Sequence, residues 1–408
     1  MTNGTFTDGA APGRFTIDAR DPASRARASR LATRHGELAM PAFLPVATRG
    51  VVKTLTSDQV RAQGTPGLLA NSFHLHLRPG EDAVEALGGL HRFMDWHGPI
   101  VTDSGGFQVF SLASLRKVTD EGVAFASPID GSAHEFTPER VIQIQRKLGA
   151  DVIMPLDECV AYPASPQALE AAHHRTIRWC RQSAAEWRAP VCPPGRREAE
   201  APAVQGASQR GGPAPAGQLL FGIVQGGASR RLRLESATAL AELGLPGYAV
   251  GGVSVGEGPA LLREVLAYTL EAMPEDRPRY VMGVGTPEDL LDSVAMGADL
   301  FDCVMPTRNA RGACAFTRRG KVRLRNAAYA ASDEPIEAGC DCPCCRTVSR
   351  GYLRHLFLVG EVTAPALVSM HNVRFYVRLM GEAREAILAG RFEEYRSGFL
   401  GQYLGGGS

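Results

Sequence analysis

The sequence predicts an α/β protein built as a (β/α)8 barrel, with additions after the eighth strand. Three observations carry this. Eight short apolar runs alternate with helical patterns along the chain. Each run is apolar throughout rather than at every second residue, the pattern of a parallel strand buried on both faces. The helices between them carry matched boundary residues. Thr137-Pro138, Ser165-Pro166 and Thr286-Pro287 set a hydroxyl cap before a proline at the first helical position, and Gly64, Gly149 and Gly244 follow helical runs. A doubly wound open sheet is the alternative that the same alternation allows.

Taken in order, the strands are read at 42–46, 67–71, 99–102, 151–156, 219–224, 248–253, 280–284 and 299–304. Two segments interrupt the series. Residues 122–137 read as a hairpin inserted before a helix, with Asp130-Gly131 as its turn. Residues 189–217 are mostly Ala, Pro and Gly, a composition that cannot bury a core and reads as a mobile loop without chemistry. The chain is thus divided into a disordered tail at 1–13, a barrel at 14–335 carrying that loop, a cysteine-rich and helical region at 336–403, and a closing tail at 404–408.

The 408 residues are 44% hydrophobic and 21% charged, values of a globular protein able to bury a large core. No run of 18 or more apolar residues occurs, and the first residues lack a basic start and an apolar stretch. Neither a membrane span nor a secretory signal is read, and the cytoplasm is the expected compartment. A net charge of +1 excludes coating of nucleic acid by bulk charge, yet the charge is uneven. Residues 303–332 hold no acid, whereas Arg308, Arg311, Arg318, Arg319, Lys321, Arg323 and Arg325 supply seven positive charges. That stretch is either an anion-binding face or a solvated surface balanced elsewhere. Of nine cysteines, Cys340, Cys342, Cys344 and Cys345 crowd together, which in a reducing compartment suggests a metal rather than disulfides.

A barrel of this kind builds its site where strands end at the C-terminal face, so the polar residues just past each apolar run are the candidates. Strand two ends at Asn71, and strand three runs into Asp103, Ser104, Gly105, Gly106 and Phe107. Strand four leads to Asp157 and Cys159, strand five to Gln225, strand six to Gly252 and Val253, strand seven to Met282 and Gly283, and strand eight contains Asp302. Any one of these aspartates could cap a helix. Three carboxylates aimed into one mouth repel each other and are costly to gather without a use. Gly251-Gly252 and Gly283-Val284-Gly285 fit neither the dinucleotide fingerprint nor the P-loop, so no nucleotide cofactor is read.

The segments Thr102-Asp-Ser-Gly-Gly-Phe-Gln108, Leu156-Asp-Glu-Cys159, Phe221-Gly-Ile-Val-Gln-Gly226, Tyr248-Ala-Val-Gly-Gly-Val-Ser-Val-Gly256, Tyr280-Val-Met-Gly-Val-Gly285 and Phe301-Asp-Cys-Val-Met-Pro-Thr-Arg308 resemble the motifs of the bacterial queuine tRNA-ribosyltransferases, also called tRNA-guanine transglycosylases. The resemblance runs from about residue 14 to residue 403, apart from the 189–217 insertion. It implies a zinc-containing barrel that exchanges guanine at the wobble position of tRNAs with a G-U-N anticodon for 7-aminomethyl-7-deazaguanine, a step toward queuosine.

By this resemblance Asp302 is the nucleophile and Asp103 the general acid and base, with Asn71 placed to orient Asp103. Asp157 accepts from the ring NH and exocyclic amine of the base, while Gln225 and the Gly252 amide donate to its carbonyl. Phe107 and Met282 form the apolar slices above and below the ring, and Ser104 helps hold ribose or base. Relatives often carry Tyr at the Phe107 position, so stacking is kept here and a hydroxyl donor lost. Cys159 and a bulky Val255 follow the pattern that accompanies the aminomethyl base rather than queuine. Gly283, Val284, Gly285, Thr286, Pro287, Glu288 and Asp289 match one RNA-contacting segment, and Thr307, Arg308, Asn309, Ala310 and Arg311 match another. The family pattern selects Cys340, Cys342, Cys345 and His371 as the four ligands of a structural Zn2+, leaving Cys344 as an extra thiol. It also implies a homodimer through the zinc region. The alternatives are a related enzyme acting on DNA, a non-catalytic RNA-binding subunit, and a barrel hydrolase that carries a structural zinc.

Overall fold

The computed structural model describes residues 11–112, 115–190 and 217–405. Its centre is a closed barrel of eight parallel strands. These are β1 (Ala42–Ala47), β2 (Leu68–Asn71), β3 (Ile100–Asp103), β4 (Val152–Ile153), β5 (Leu219–Val224), β6 (Gly247–Val250), β7 (Arg279–Val281) and β8 (Leu300–Cys303). Each pairs with its neighbour in sequence, and β8 closes on β1 through Leu300 to Cys303 against Ala42 to Pro45. The closed order excludes the open sheet. The interior is filled by side chains including Leu44, Val101, Phe221 and Ile223, a packed core rather than a pore.

The helices start where their caps dictate. Thr137 accepts from the Arg140 amide at 3.1 Å to open Pro138–Leu148, and Gly149 closes that helix with φ +78°. Ser165 and Thr286 act in the same way for Pro166–Arg188 and Pro287–Ala295. The hairpin before Pro138–Leu148 pairs Val123–Ala126 with Ala133–Phe136, and a third strand, Arg116–Val118, joins it. The mobile loop read at 189–217 falls almost wholly outside the described residues, as do most of residues 1–13 and the last three of 404–408.

Three strand readings need correction. The fourth was read to residue 156, but its ladder stops after Ile153 because the buried Gln145 amide takes over both backbone groups of Met154, donating at 2.7 Å and accepting at 2.9 Å. The sixth and seventh end at Val250 and Val281, where Gly252 (φ +60°) and Gly283 (φ +73°) turn the backbone out of the extended region. The sequence reading also assigned nothing to Phe15–Arg20, Arg27–Thr33 and Gly36–Met40, which form an antiparallel sheet. It closes the N-terminal end of the barrel. Leu31, Leu38 and Met40 enter the barrel core, and the buried Arg27 forks onto Asp299 beside β8 at 3.0 and 2.6 Å.

After β8 come the short helix Met305–Arg311, a hairpin of Cys314–Thr317 with Gly320–Arg323, and a helical region ending in Thr363–Leu388 and Phe392–Gly405. The long helix returns to the barrel. Tyr376 packs against Phe43 of β1, the rings tilted by 39° with centroids 4.6 Å apart, and donates its hydroxyl to the Gly285 carbonyl at 2.5 Å.

Candidate active site

The C-terminal ends of β2, β3, β5, β6, β7 and β8 surround one cavity of about 460 Å³. Asp103, Ser104, Gly105, Gly106, Phe107, Asp157, Cys159, Gln225, Gly252, Val253, Met282 and Asp302 all line it. Two acids far apart in the chain thus share one mouth.

Asp103 is the last residue of β3. The Ser72 amide donates to its Oδ1 at 3.0 Å, and the Asn71 side-chain amide to its Oδ2. Withdrawal from water pushes its pKa up to about 7, with the Asp302 charge adding to the shift and the Ser72 and Asn71 donors opposing it. Asp302, in β8, is buried and its pKa is also raised by desolvation, against donors from Tyr280 and Gly283. Both donors fall on Oδ1, the Tyr280 hydroxyl at 2.5 Å and the Gly283 amide at 3.0 Å. Oδ2 is left without a protein donor among the described residues.

Asp157 follows β4, the strand beside β3, and lines the same cavity. Ser104 donates to its Oδ1 at 2.9 Å and Gln225 to its Oδ2 at 2.7 Å. Gln225 therefore commits one of its two amide hydrogens to Asp157 and keeps the other. Two glycines are required by this packing. A Cβ on Gly106 would sit 2.7 Å from the Asp157 carbonyl, and one on Gly252 would sit 2.2 Å from the Gln225 side-chain oxygen. The thiol of Cys159 is pushed up to about 12 by burial, which removes it as a nucleophile at neutral pH. Met282 is half-buried against the barrel core, whereas Phe107 is 59% exposed at the rim.

The two segments matched to RNA contacts divide by exposure. Gly283, Arg308 and Arg311 are exposed, and Thr286, Glu288 and Asn309 are half-buried. Val284, Gly285, Pro287, Asp289, Thr307 and Ala310 are buried, and of these Val284, Gly285 and Asp289 line the cavity. Asp289 accepts from Thr286 at 2.7 Å and pairs with Arg263 at 3.2 Å, and Ala310 packs beneath the cysteine cluster.

That cluster gathers the ligand atoms of Cys340, Cys342, Cys345 and His371 within 4.8 Å of one another. The three Sγ atoms lie 3.6, 3.7 and 3.3 Å from His371 Nδ1. A tetrahedral zinc with bonds of about 2.3 Å to sulfur and about 2.0 Å to nitrogen has S···N edges of about 3.5 Å, so the four residues fit that ion. His371 Nε2 is 2.7 Å from the Phe316 carbonyl, an acceptor that directs Nδ1 to the cluster. Cys344 stays outside, buried in the neighbouring apolar packing. A second group, His35, His91 and Asp151, lies at the far end of the barrel. Its two imidazoles stack with centroids 3.4 Å apart, and both face the Asp151 carboxylate, His35 Nδ1 at 2.8 Å and His91 Nε2 at 3.2 Å.

Sequence reasoning overlooked Tyr280, hidden inside an apolar run, and Arg233, whose side chain binds the loops after β5 and β6. A signal existed for Arg233. It shares the buried stripe of helix Arg230–Ala241 with Ser236, Ala237 and Leu240, where an arginine is out of place.

Residues 21–404 match the family described as queuine tRNA-ribosyltransferase. The chain belongs to that family. The queuine tRNA-ribosyltransferase of Pelotomaculum thermopropionicum is 47% identical over 391 residues, spanning 96% of this chain and 99% of its own. That of Solidesulfovibrio magneticus is 48% identical over 387 residues, 95% of this chain and 97% of its own, and that of Cereibacter sphaeroides 46% identical over 386 residues, 95% and 96%. Family membership is in keeping with the barrel, the shared acidic mouth and the cysteine cluster. No helix among the described residues is long and apolar enough to cross a membrane.

Proposed function

We propose that this queuine tRNA-ribosyltransferase family member exchanges guanine at the wobble position of G-U-N tRNAs for 7-aminomethyl-7-deazaguanine through a covalent ribosyl-aspartate. The observation that carries the reading is the pair of carboxylates, Asp103 and Asp302, lining one cavity with unequal environments. Asp302 Oδ2, free of donors, bonds to C1′ of the ribose as the bond from C1′ to the guanine nitrogen breaks. Asp103, holding a proton to about pH 7, gives it to the departing guanine. The incoming base returns a proton to Asp103 and displaces Asp302 from C1′, so configuration is retained and no water is consumed. Asp157 reads the amine edge of the base, and the free hydrogen of Gln225 and the Gly252 amide read its carbonyl. Met282 and Phe107 cover the ring faces, the exposed Phe107 meeting a base flipped out of the anticodon.

Arg308 and Arg311, exposed on Met305–Arg311, bind the phosphates and base edges next to the wobble nucleotide. Val255 and Cys159 favour the compact aminomethyl base. Cys340, Cys342, Cys345 and His371 would hold one zinc, which cross-links the region after the barrel and enters no chemical step. Residues 14–335 act as the catalytic unit and 336–403 as the zinc and helical unit. The latter pairs two copies, an assignment supported by Tyr352, Leu358, Val359 and Val362, which remain exposed beside the cluster. The cytoplasm, where tRNA is found, is the site of the reaction.

The test is incubation of the protein with unmodified G-U-N tRNA and labelled guanine. Label entering only wobble-guanine tRNAs supports the reading. Free ribosylated tRNA lacking a base would show a hydrolase instead, and label entering DNA of matched sequence would favour the DNA-acting relative.

A further inference from the structure

Arg233 is wholly buried and has no ion-pair partner among the described residues. Its guanidinium donates to four backbone carbonyls instead: Nε to Gly227 at 2.8 Å, Nη1 to Val224 at 2.8 Å and Gly251 at 2.7 Å, and Nη2 to Gly252 at 3.0 Å. Burial lowers its pKa to about 10, which leaves it charged at neutral pH. A buried cation without a counter-charge is costly, so its retention calls for a use.

We infer that Arg233 is a positioning residue for recognition of the base carbonyl. The link is the peptide plane. Gly251 and Gly252 are joined by a trans peptide, which holds the Gly251 carbonyl and the Gly252 N–H antiparallel. Fixing that carbonyl on Arg233 beneath the loop turns the Gly252 N–H the opposite way. That N–H finds no acceptor among the described residues, and Gly252 lines the cavity. A cation on the carbonyl also polarises the peptide, so its N–H donates more strongly. The same fork holds Val224 and Gly227 on either side of Gln225, tying the loops after β5 and β6 into one unit. A lysine, with its three donors on a single point, cannot span four carbonyls.

This rests on the base pocket proposed above, and the experiment separates the two. Arg233→Met and Arg233→Lys are compared with the native chain for binding of guanine, hypoxanthine and 2-aminopurine, and for binding of tRNA. Guanine and hypoxanthine carry the carbonyl and 2-aminopurine does not. We expect guanine and hypoxanthine to weaken tenfold or more in both variants while 2-aminopurine changes less than twofold, and tRNA, held also through Arg308 and Arg311, weakens less than guanine. In Arg233→Ala, added guanidinium ion restores guanine binding. Equal weakening of all three bases, or a loss of tRNA binding as large as that of guanine, overturns the inference, as does native guanine affinity in either variant. If Arg233→Met does not fold, Arg233→Lys decides by the same criteria. Failure of the native protein to bind guanine overturns the underlying pocket and the inference with it.

Discussion

Tyr280 donates its hydroxyl to Asp302 across the gap between β7 and β8, at 2.5 Å. The bond falls on Oδ1, where the Gly283 amide also donates, and so it divides the carboxylate into a held oxygen and a free one. Tyr280 is itself fully buried with its pKa raised well above the ordinary value, so it remains a neutral donor throughout the working range.

Tyr280→Phe removes a hydrogen bond to a charged group, an interaction of about 1.5–3 kcal/mol. The Asp302 pKa rises further, because the donor that opposed desolvation is gone. Exchange is expected to fall roughly tenfold to a hundredfold, with the acidic limb of the rate profile displaced to higher pH. Guanine affinity measured by equilibrium binding stays unchanged. A limb that does not move removes Tyr280 from this role.

The pH dependence of base departure has a definite sign. In the proposed mechanism Asp103 is the general acid and keeps its proton up to about pH 7, so the rate is expected to decline as pH rises through that value. Asp302 must be ionised, and its raised pKa places the acidic limb above the ordinary carboxylate range. The two acids interact, so the limbs are properties of the pair. Asn71→Ala deletes a donor that lowers the Asp103 pKa, and single-turnover rates should then show the alkaline limb displaced upward. A displacement downward contradicts the assignment.

Metal removal should act on RNA before it acts on the base. His371 reaches the Phe316 carbonyl, and the adjacent Asn372 ties Phe316, Pro306 and Cys314 together, so the cluster supports the helix that carries Arg308 and Arg311. His371→Ala is expected to lose the ion, lower the melting temperature and raise the KM for tRNA, with guanine affinity altered much less. Cys344→Ser retains one zinc per chain by elemental analysis. Loss of zinc from Cys344→Ser together with retention by Cys345→Ser would reverse the ligand assignment.

Arg311 is exposed and forms no ion pair among the described residues. Arg311→Ala should weaken tRNA binding and reduce its salt dependence by about one phosphate contact, while guanine binding is nearly unchanged. Equal loss of both ligands would place Arg311 in a structural role.

The eight strands were legible because burial on both faces leaves unbroken apolar runs, and Asp103, Asp157 and Asp302 because polarity returns where those runs end. The sheet below the barrel was not, since Arg27 and Ser29 interrupt the apolar pattern of Arg27–Thr33 and are satisfied by partners distant in sequence, both by Asp299, 272 and 270 residues away, and Arg27 also by the Glu275 and Arg277 carbonyls. Gln145 ended β4 early for a similar reason, because a side chain substituted for a strand partner. The cysteine crowding suggested a metal, but the family resemblance singled out Cys345 over Cys344 and added His371, and the inward turn of Val284, Pro287, Thr307 and Ala310 came from helix and loop packing that a motif match does not encode.

The most direct measurement is to mix the protein with unmodified G-U-N tRNA, denature the complex, digest the RNA and sequence the modified peptide by mass spectrometry. The account predicts a ribose-linked nucleotide on the peptide containing Asp302, absent from Asp302→Asn, which also fails to exchange labelled guanine. A nucleotide attached to another residue, or undiminished exchange by Asp302→Asn, would contradict it.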